Sequence, residues 1–269
     1  MSGPRLGVLG WPVAHSLSPA MHNAALAEMG LGDWEFQLLP VPPELFEETA
    51  RALPGAGFVG ASVTVPHKEQ ALAIAGLAGE AASGIGAATT LLFGGEVITA
   101  ENTDAPGLLD ALPEPPAPGS SAMVLGAGGS ARAAAWALHS AGAQVSVWNR
   151  TAARALALAA DLGVEAVDEP LGADILVNCT VAGMEGDPFA LLPLDPGSLA
   201  DYGAVVDFVY TDPAATLLEA ARAAGCRTVD GLEILVRQGA LALEMWTGRE
   251  APVAVMAEAA RAAAAQNGR

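Results

Sequence analysis

The sequence predicts an α/β protein of two α/β domains with mostly parallel strands. Short β-like runs alternate with helix-like ones almost throughout the chain. At 269 residues the chain can hold one large domain or two ordinary ones, each burying its own core. A second alternating series restarts after PEPPAPGSS, residues 113–121, the one Pro-rich connector.

The elements follow in order. RLGVLG is a short apolar run read as a first strand. After a loop, a helix covers 18–29, with Ser18 before Pro19 as its N-cap. WEFQLLPV, GFVGASVTV, ATTLLF and EVITA continue as strands, with helices near 44–53 and 68–76. Beyond the connector, AMVLGAG is a strand entering a tight turn, 130–141 a helix, AQVSVWN a strand and 151–162 a helix. ADILVNCT and AVVDFVY are later strands, and GLEILVRQGALALEMW and APVAVMAEAARAAAA are two closing helices. Composition alone puts the domain boundary at the connector.

A formal charge of −18 repels nucleic acid and anionic membranes, so neither is expected as a partner, and an anionic substrate must be met by local donors. No apolar stretch approaches the roughly 20 residues a membrane span needs. The opening MSGPRLGVLGWPVAHS has too short an apolar run for a signal peptide, and the cytoplasm is expected. Cys179 and Cys226 lack CxxC spacing and are expected as small buried hydrophobes. His15, His22, His67 and His139 show no ligand spacing, so no metal is expected.

VLGAGGSARA, residues 124–133, runs from a buried strand through Gly126, Ala127, Gly128 and Gly129 into a helix opening with Ser130 and Ala131. Glycines let the backbone approach a pyrophosphate, and the helix N-terminus offers unpaired N–H donors. A dinucleotide fold often ends the next strand on an acid that holds the ribose 2′-hydroxyl. Here the strand ends VSVWNRTAAR: Asn149 replaces the acid, and Arg150, Thr151 and Arg154 follow. Two arginines there suit a 2′-phosphate, so NADP is expected over NAD.

Lys68, in VTVPHKEQ, is the only lysine beside eleven arginines. An ammonium can exchange a proton with substrate where a guanidinium cannot. TVPHK places Lys68 at the end of one strand and AENTDAPG places Asp104 at the end of another, and strand ends are where such folds build sites. In HSLSPAMHN, Ser16 and Ser18 lie before a helix, where hydroxyls and free N–H groups can meet a carboxylate.

GVLGWPVAHSLSPAMHN, SVTVPHK, AENTDAPG, VLGAGGSARA, WNRTAAR, NCTVAGM and DGLEILVRQGALALEMWTG together resemble, in order and over nearly the full length, the shikimate dehydrogenase family. The resemblance implies NADPH-dependent reversible reduction of 3-dehydroshikimate to shikimate, in aromatic amino-acid biosynthesis. It implies a substrate domain of residues 1–103 completed by 231–269, a Rossmann-like NADP-binding domain of 104–230, and a cleft between them. Lys68 and Asp104 are implied as the catalytic pair. Ser16, Ser18 and Tyr210 are implied around the substrate carboxylate, and Thr64, Lys68, Thr89, Asp104 and Gln238 around the ring. Thr180, Val181, Met184, Val209 and Gly231 are implied at the nicotinamide. The chain departs from the family at Ser62, where NVTVPHK is usual, and at Thr89, where an asparagine usually meets a ring hydroxyl. Quinate or aminoshikimate as substrate, or a non-catalytic NADP sensor, are therefore alternatives, and a monomer or homodimer is expected.

Overall fold

A computed structural model of the protein describes residues 3–95, 97–184, 186–210 and 215–267. The chain divides into two compact units, one of Met1–Gly107 with Leu235–Asn267 and one of Leu108–Ile234.

The first unit begins with β1 (Arg5–Gly10), α1 (Ser18–Glu28), β2 (Glu35–Pro40), α2 (Phe46–Ala52), β3 (Phe58–Val63) and α3 (Lys68–Ala73). It continues through β4 (Leu77–Ala78), α4 (Glu80–Ile85), β5 (Thr90–Leu92), β6 (Thr99–Glu101) and into α5 (Asp104–Ala111). Its sheet has the order β2-β1-β3-β5-β6-β4. β1 runs parallel to both β2 and β3, whereas β5 is antiparallel to β3 and to β6. Parallel β1 and β3 therefore deliver the loops after Gly10 and Val63 to the same end of the sheet. Leu9, Phe46, Phe58, Ala61, Val63, Leu91 and Ala100 form a core on this sheet. Each large side chain there contributes about 1.5–3 kcal/mol by leaving water.

The second unit holds β7 (Ser121–Leu125), α6 (Gly129–Ser140), β8 (Gln144–Trp148), α7 (Ala152–Leu162), β9 (Glu165–Ala166), β10 (Ala173–Asn178), β11 (Tyr202–Asp207), α8 (Ala215–Ala223) and β12 (Arg227–Val229). Its sheet, in the order β12-β11-β10-β7-β8-β9, is parallel throughout. Successive residues of β7 serve opposite faces: Ala122 and Val124 join one core, Met123 and Leu125 the other. A strand buried on both sides has to be apolar at every position, which is why AMVL shows no alternation. Two final helices follow, α9 (Gly231–Thr247) and α10 (Val253–Asn267).

The division between the units falls within α5, after Gly107, and within α9, after Ile234, a few residues beyond the starts of these helices at Asp104 and Gly231. Glu96, which opens the EVITA run, lies outside the described residues. β4, α4, β9 and β12 are too short to leave a periodic trace in the sequence, and α5 and α8 also went unassigned.

His22 illustrates the packing of the first unit. Its ring stacks on Phe36 at 4.2 Å and lies 5.7 Å from the Trp246 ring, fully buried, with neither ring nitrogen hydrogen-bonded. Burial pushes its imidazole down from 6.5 to about 3. The unfolded chain therefore takes up a proton below pH 6.5 that the folded chain refuses until about pH 3, and stability falls as pH falls through that window. The loss is roughly 1.4 kcal/mol per pH unit. Urea unfolding across the window should show a shallower pH slope for His22→Leu than for the wild type; equal slopes would exclude this origin.

Candidate active site

Lys68 and Asp104 meet in the first unit. The Lys68 ammonium donates to Asp104 Oδ2 at 2.5 Å, and each side chain is only 10% exposed. Neither sits at a strand end, as the sequence suggested: Lys68 is the first residue of α3 and Asp104 the first of α5. Pro66, which cannot donate to a ladder, ends the extended run after Val63, and the His67 N–H then bonds the Thr64 carbonyl at 3.0 Å to start a turn. Before α5, the Asn102 side chain accepts the Ala105 N–H at 3.2 Å and donates to the Ala87 carbonyl at 2.9 Å. Both ends of the pair are thus aimed by backbone turns closed with hydrogen bonds. His67, buried beside Lys68, stacks on Phe46 at 4.5 Å and donates from Nε2 to the Val41 carbonyl at 2.7 Å. Its part is to fix the entry of α3.

A chain of hydroxyls adjoins the pair. Gln238 Nε2 donates to the Leu235 carbonyl at 2.8 Å, which turns Oε1 toward the Thr103 hydroxyl at 3.3 Å. Thr103 Oγ1 spends its hydrogen there, so the Thr89 and Thr90 hydroxyls, at 3.1 and 3.2 Å, donate to it. Thr89 Oγ1 also accepts the Thr103 N–H at 2.8 Å. Thr89, Thr90, Thr103 and Gln238 are all buried. The Ala88 N–H bonds the Lys68 carbonyl at 2.8 Å, which ties this network to α3. Sequence reasoning named Thr89 and Gln238 but missed Thr103; its position inside ENTD was the available signal.

Ser16 and Ser18 occupy the loop after β1. The Ser16 hydroxyl accepts the Ser18 N–H at 3.3 Å, and Ser18 is buried. Ser18 is the first helical residue and Leu17 the N-cap, a shift of one position from the expected start. The Trp11 N–H bonds the Val65 carbonyl at 3.0 Å and the Thr64 N–H bonds the Leu9 carbonyl at 2.9 Å, so Thr64 shares this end of the sheet with the loop after β1. Ser62, inside β3, buries its hydroxyl with no partner among the described residues. Tyr210 belongs to the second unit, just past β11, where burial pushes its phenol up.

In the second unit, Gly126 follows β7 with φ +114°, a conformation that side chains rarely adopt. A Cβ there would also stand 3.2 Å from the Cys179 carbonyl. The Gly126 N–H bonds the Trp148 carbonyl at 2.8 Å, fixing the turn against the end of β8. Gly128, the N-cap of α6, has open space where its Cβ would be, and Ala127, Gly129 and Ser130 are partly exposed beside it. Ala131 is buried and anchors the helix to the sheet. The strand order reverses at β7, with β8 on one side and β10 on the other, so a crevice opens at their carboxyl ends. On the β8 side, Asn149 donates to the Thr151 carbonyl at 3.0 Å, and Arg150 and Arg154 are exposed with no ion-pair partner among the described residues.

On the β10 side, Asn178 is fully buried and organises the loop that follows. It accepts the Thr180 N–H at 3.1 Å and hydroxyl at 2.8 Å, and donates to the Ala182 carbonyl at 3.2 Å and to Asp207 Oδ1 at 2.9 Å. Val181 and Met184 expose their apolar side chains from this loop. Asp207 Oδ1 also accepts the Val209 N–H at 3.0 Å, and burial pushes the carboxyl up to about 7. Gly231 is required by close approach, since a Cβ would lie 2.5 Å from the Phe208 carbonyl oxygen. Asp207 was passed over in the sequence, where it reads as the end of an apolar strand. Cys226 is buried and donates to the Leu199 and Tyr202 carbonyls, whereas Cys179, expected to be buried, is partly exposed beside the glycine turn.

Residues 8–91 match the family described as shikimate dehydrogenase substrate binding domain, residues 115–180 match shikimate/quinate 5-dehydrogenase, and residues 231–261 match the shikimate 5'-dehydrogenase C-terminal domain. The chain is 45% identical to a shikimate dehydrogenase (NADP(+)) of Thermus thermophilus, covering 96% of this chain and 98% of that one. Its fold is similar to that of a Thermus thermophilus shikimate 5-dehydrogenase in complex with NADP(H) and shikimate, with TM-score 0.84 and 42% identity over 97% and 99% of the two chains. It is also similar to ligand-free 5-ketofructose reductase of Gluconobacter, with TM-score 0.85 and 33% identity over 97% and 98%.

Proposed function

The chain belongs to the shikimate dehydrogenase family, and on that premise we propose that it reduces 3-dehydroshikimate reversibly to shikimate with NADPH, Lys68 and Asp104 handling the proton. The observation that carries the reading is the buried Lys68–Asp104 pair at 2.5 Å. A sensor that only binds its ligands has no need of a buried proton donor and acceptor.

The second unit's residues fit NADP(H). The tight Gly126 turn and the open Gly128 leave room for a pyrophosphate at the N-terminus of α6, where unpaired N–H groups favour negative charge. Arg150 and Arg154 would hold the 2′-phosphate, with Asn149 and Thr151 shaping the turn between them. Thr180, Val181, Met184, Val209 and Gly231 would receive the nicotinamide. When bound, the cofactor supplies the hydride for the carbonyl carbon.

The first unit does the rest. Ser16 and Ser18 hold the substrate carboxylate. Thr64, Lys68, Thr89, Asp104 and Gln238 hold the ring substituents. As negative charge grows on the carbonyl oxygen, the Lys68 ammonium stabilises it and passes a proton to it, while Asp104 keeps the ammonium aimed. Oxidation runs the same transfer backwards.

Thr89 bears on which relative is the best substrate. With its hydrogen committed to Thr103 and one lone pair to the Thr103 N–H, it retains one acceptor site, which suits a ring hydroxyl. Comparing kcat/KM for shikimate, quinate and aminoshikimate tests the assignment, and quinate oxidation without shikimate activity would overturn it. Thr89→Asn extends the reach toward the ring and should lower KM for shikimate about two- to tenfold, the worth of one hydrogen bond, with kcat changed less. A change confined to kcat would contradict this placement.

A further inference from the structure

We propose that Asp207 is a positioning residue for the nicotinamide end of the dinucleotide site, locking the loops after β10 and β11 to each other through Asn178. The proposal rests on the cofactor reading above and goes beyond the residues that reading assigns.

β10 and β11 are parallel neighbours, and Asn178 and Asp207 are paired in register at their last residues. Both are fully buried. One carboxylate oxygen, Oδ1, takes a donor from the end of β10 and one from the loop after β11: the Asn178 amide at 2.9 Å and the Val209 N–H at 3.0 Å. Asn178 in turn uses its remaining capacity on Thr180 and Ala182. These two side chains therefore set the path of the backbone at Thr180, Val181 and Val209.

Packing alone does not account for the choice of residue. The strand reaches this point through Ala204, Val205 and Val206, all buried and apolar, and another valine would bury more cheaply than a carboxyl. Asp207 Oδ2 is buried with no hydrogen-bond partner among the described residues, and the group's raised proton affinity reflects the cost of burial. A short side chain that accepts two donors from one oxygen supplies what an apolar residue cannot, a fixed spacing between the loops.

The test compares two ligands by calorimetry: NADPH, and 2′,5′-ADP, which carries the 2′-phosphate and adenosine but no nicotinamide. Asp207→Ala should weaken NADPH by about tenfold or more, as expected for losing buried hydrogen bonds, with 2′,5′-ADP changed less than about twofold. Asp207→Asn keeps an oxygen for the same two donors and should retain NADPH affinity within about threefold. If Asp207→Ala does not fold, Asn178→Ser cuts the same link from the other strand and should show the same split. Equal weakening of both ligands, unchanged NADPH affinity, or no rescue by asparagine would each overturn the proposal while leaving the cofactor reading standing. A wild-type protein that binds neither ligand would overturn both.

Discussion

Lys68→Arg is expected to lower kcat for reduction of 3-dehydroshikimate about 10²–10⁴-fold, the usual range for losing a general acid or base, while NADPH affinity stays within about threefold. The substitution keeps the charge and removes the chemistry. Lys68 is buried with its ammonium 2.5 Å from Asp104 Oδ2, a space that fits a compact head group. A guanidinium is planar, larger and held protonated across the working pH range, so it can neither take the same place nor release a proton. Lys68→Met, close in length but uncharged, separates size from proton transfer and should be equally slow. It also leaves Asp104 buried without its cation, which costs roughly 3–5 kcal/mol when a buried pair is broken, so its stability has to be measured beside its rate. A Lys68→Arg enzyme within about threefold of wild type would show that charge alone suffices.

Arg150→Ala is expected to weaken NADP⁺ binding about 10- to 100-fold, the loss of a charged hydrogen-bonding partner, and to leave NAD⁺ within about twofold. Arg150 is exposed just ahead of α7, and Arg154 lies in its first turn. Positive charge at a helix N-terminus is mildly unfavourable, by about 0.3–1 kcal/mol, and neither arginine has an ion-pair partner among the described residues to offset it. A 2′-phosphate would supply that partner. Equal losses for the two cofactors would remove the basis for NADP selectivity.

The alternation of strands and helices was legible because the second unit's sheet is parallel, and buried parallel strands such as AMVL announce themselves as apolar runs. The glycine turn was legible because Gly126 holds a φ of +114° that side chains rarely adopt, and Gly231 stands where a Cβ would lie 2.5 Å from the Phe208 carbonyl oxygen. Lys68 stood out chemically, as the one lysine among arginines. Its exact setting did not: whether a residue ends a strand or starts a helix depends on turns closed by Pro66 and Asn102, which span only a few positions. Thr103 and Asp207 were hidden because a buried hydroxyl or carboxyl is recognised by its partners, and those are Gln238 and Asn178, far away in sequence.

Whether Lys68 and Asp104 work as one unit is tested most directly by kcat for Lys68→Met, Asp104→Asn and the double variant. Groups that share a single proton transfer lose that transfer once, so the double variant should be no slower than the slower single variant by more than about threefold. Losses that multiply across the two sites would mean that each residue acts separately, contradicting the paired role assigned to them.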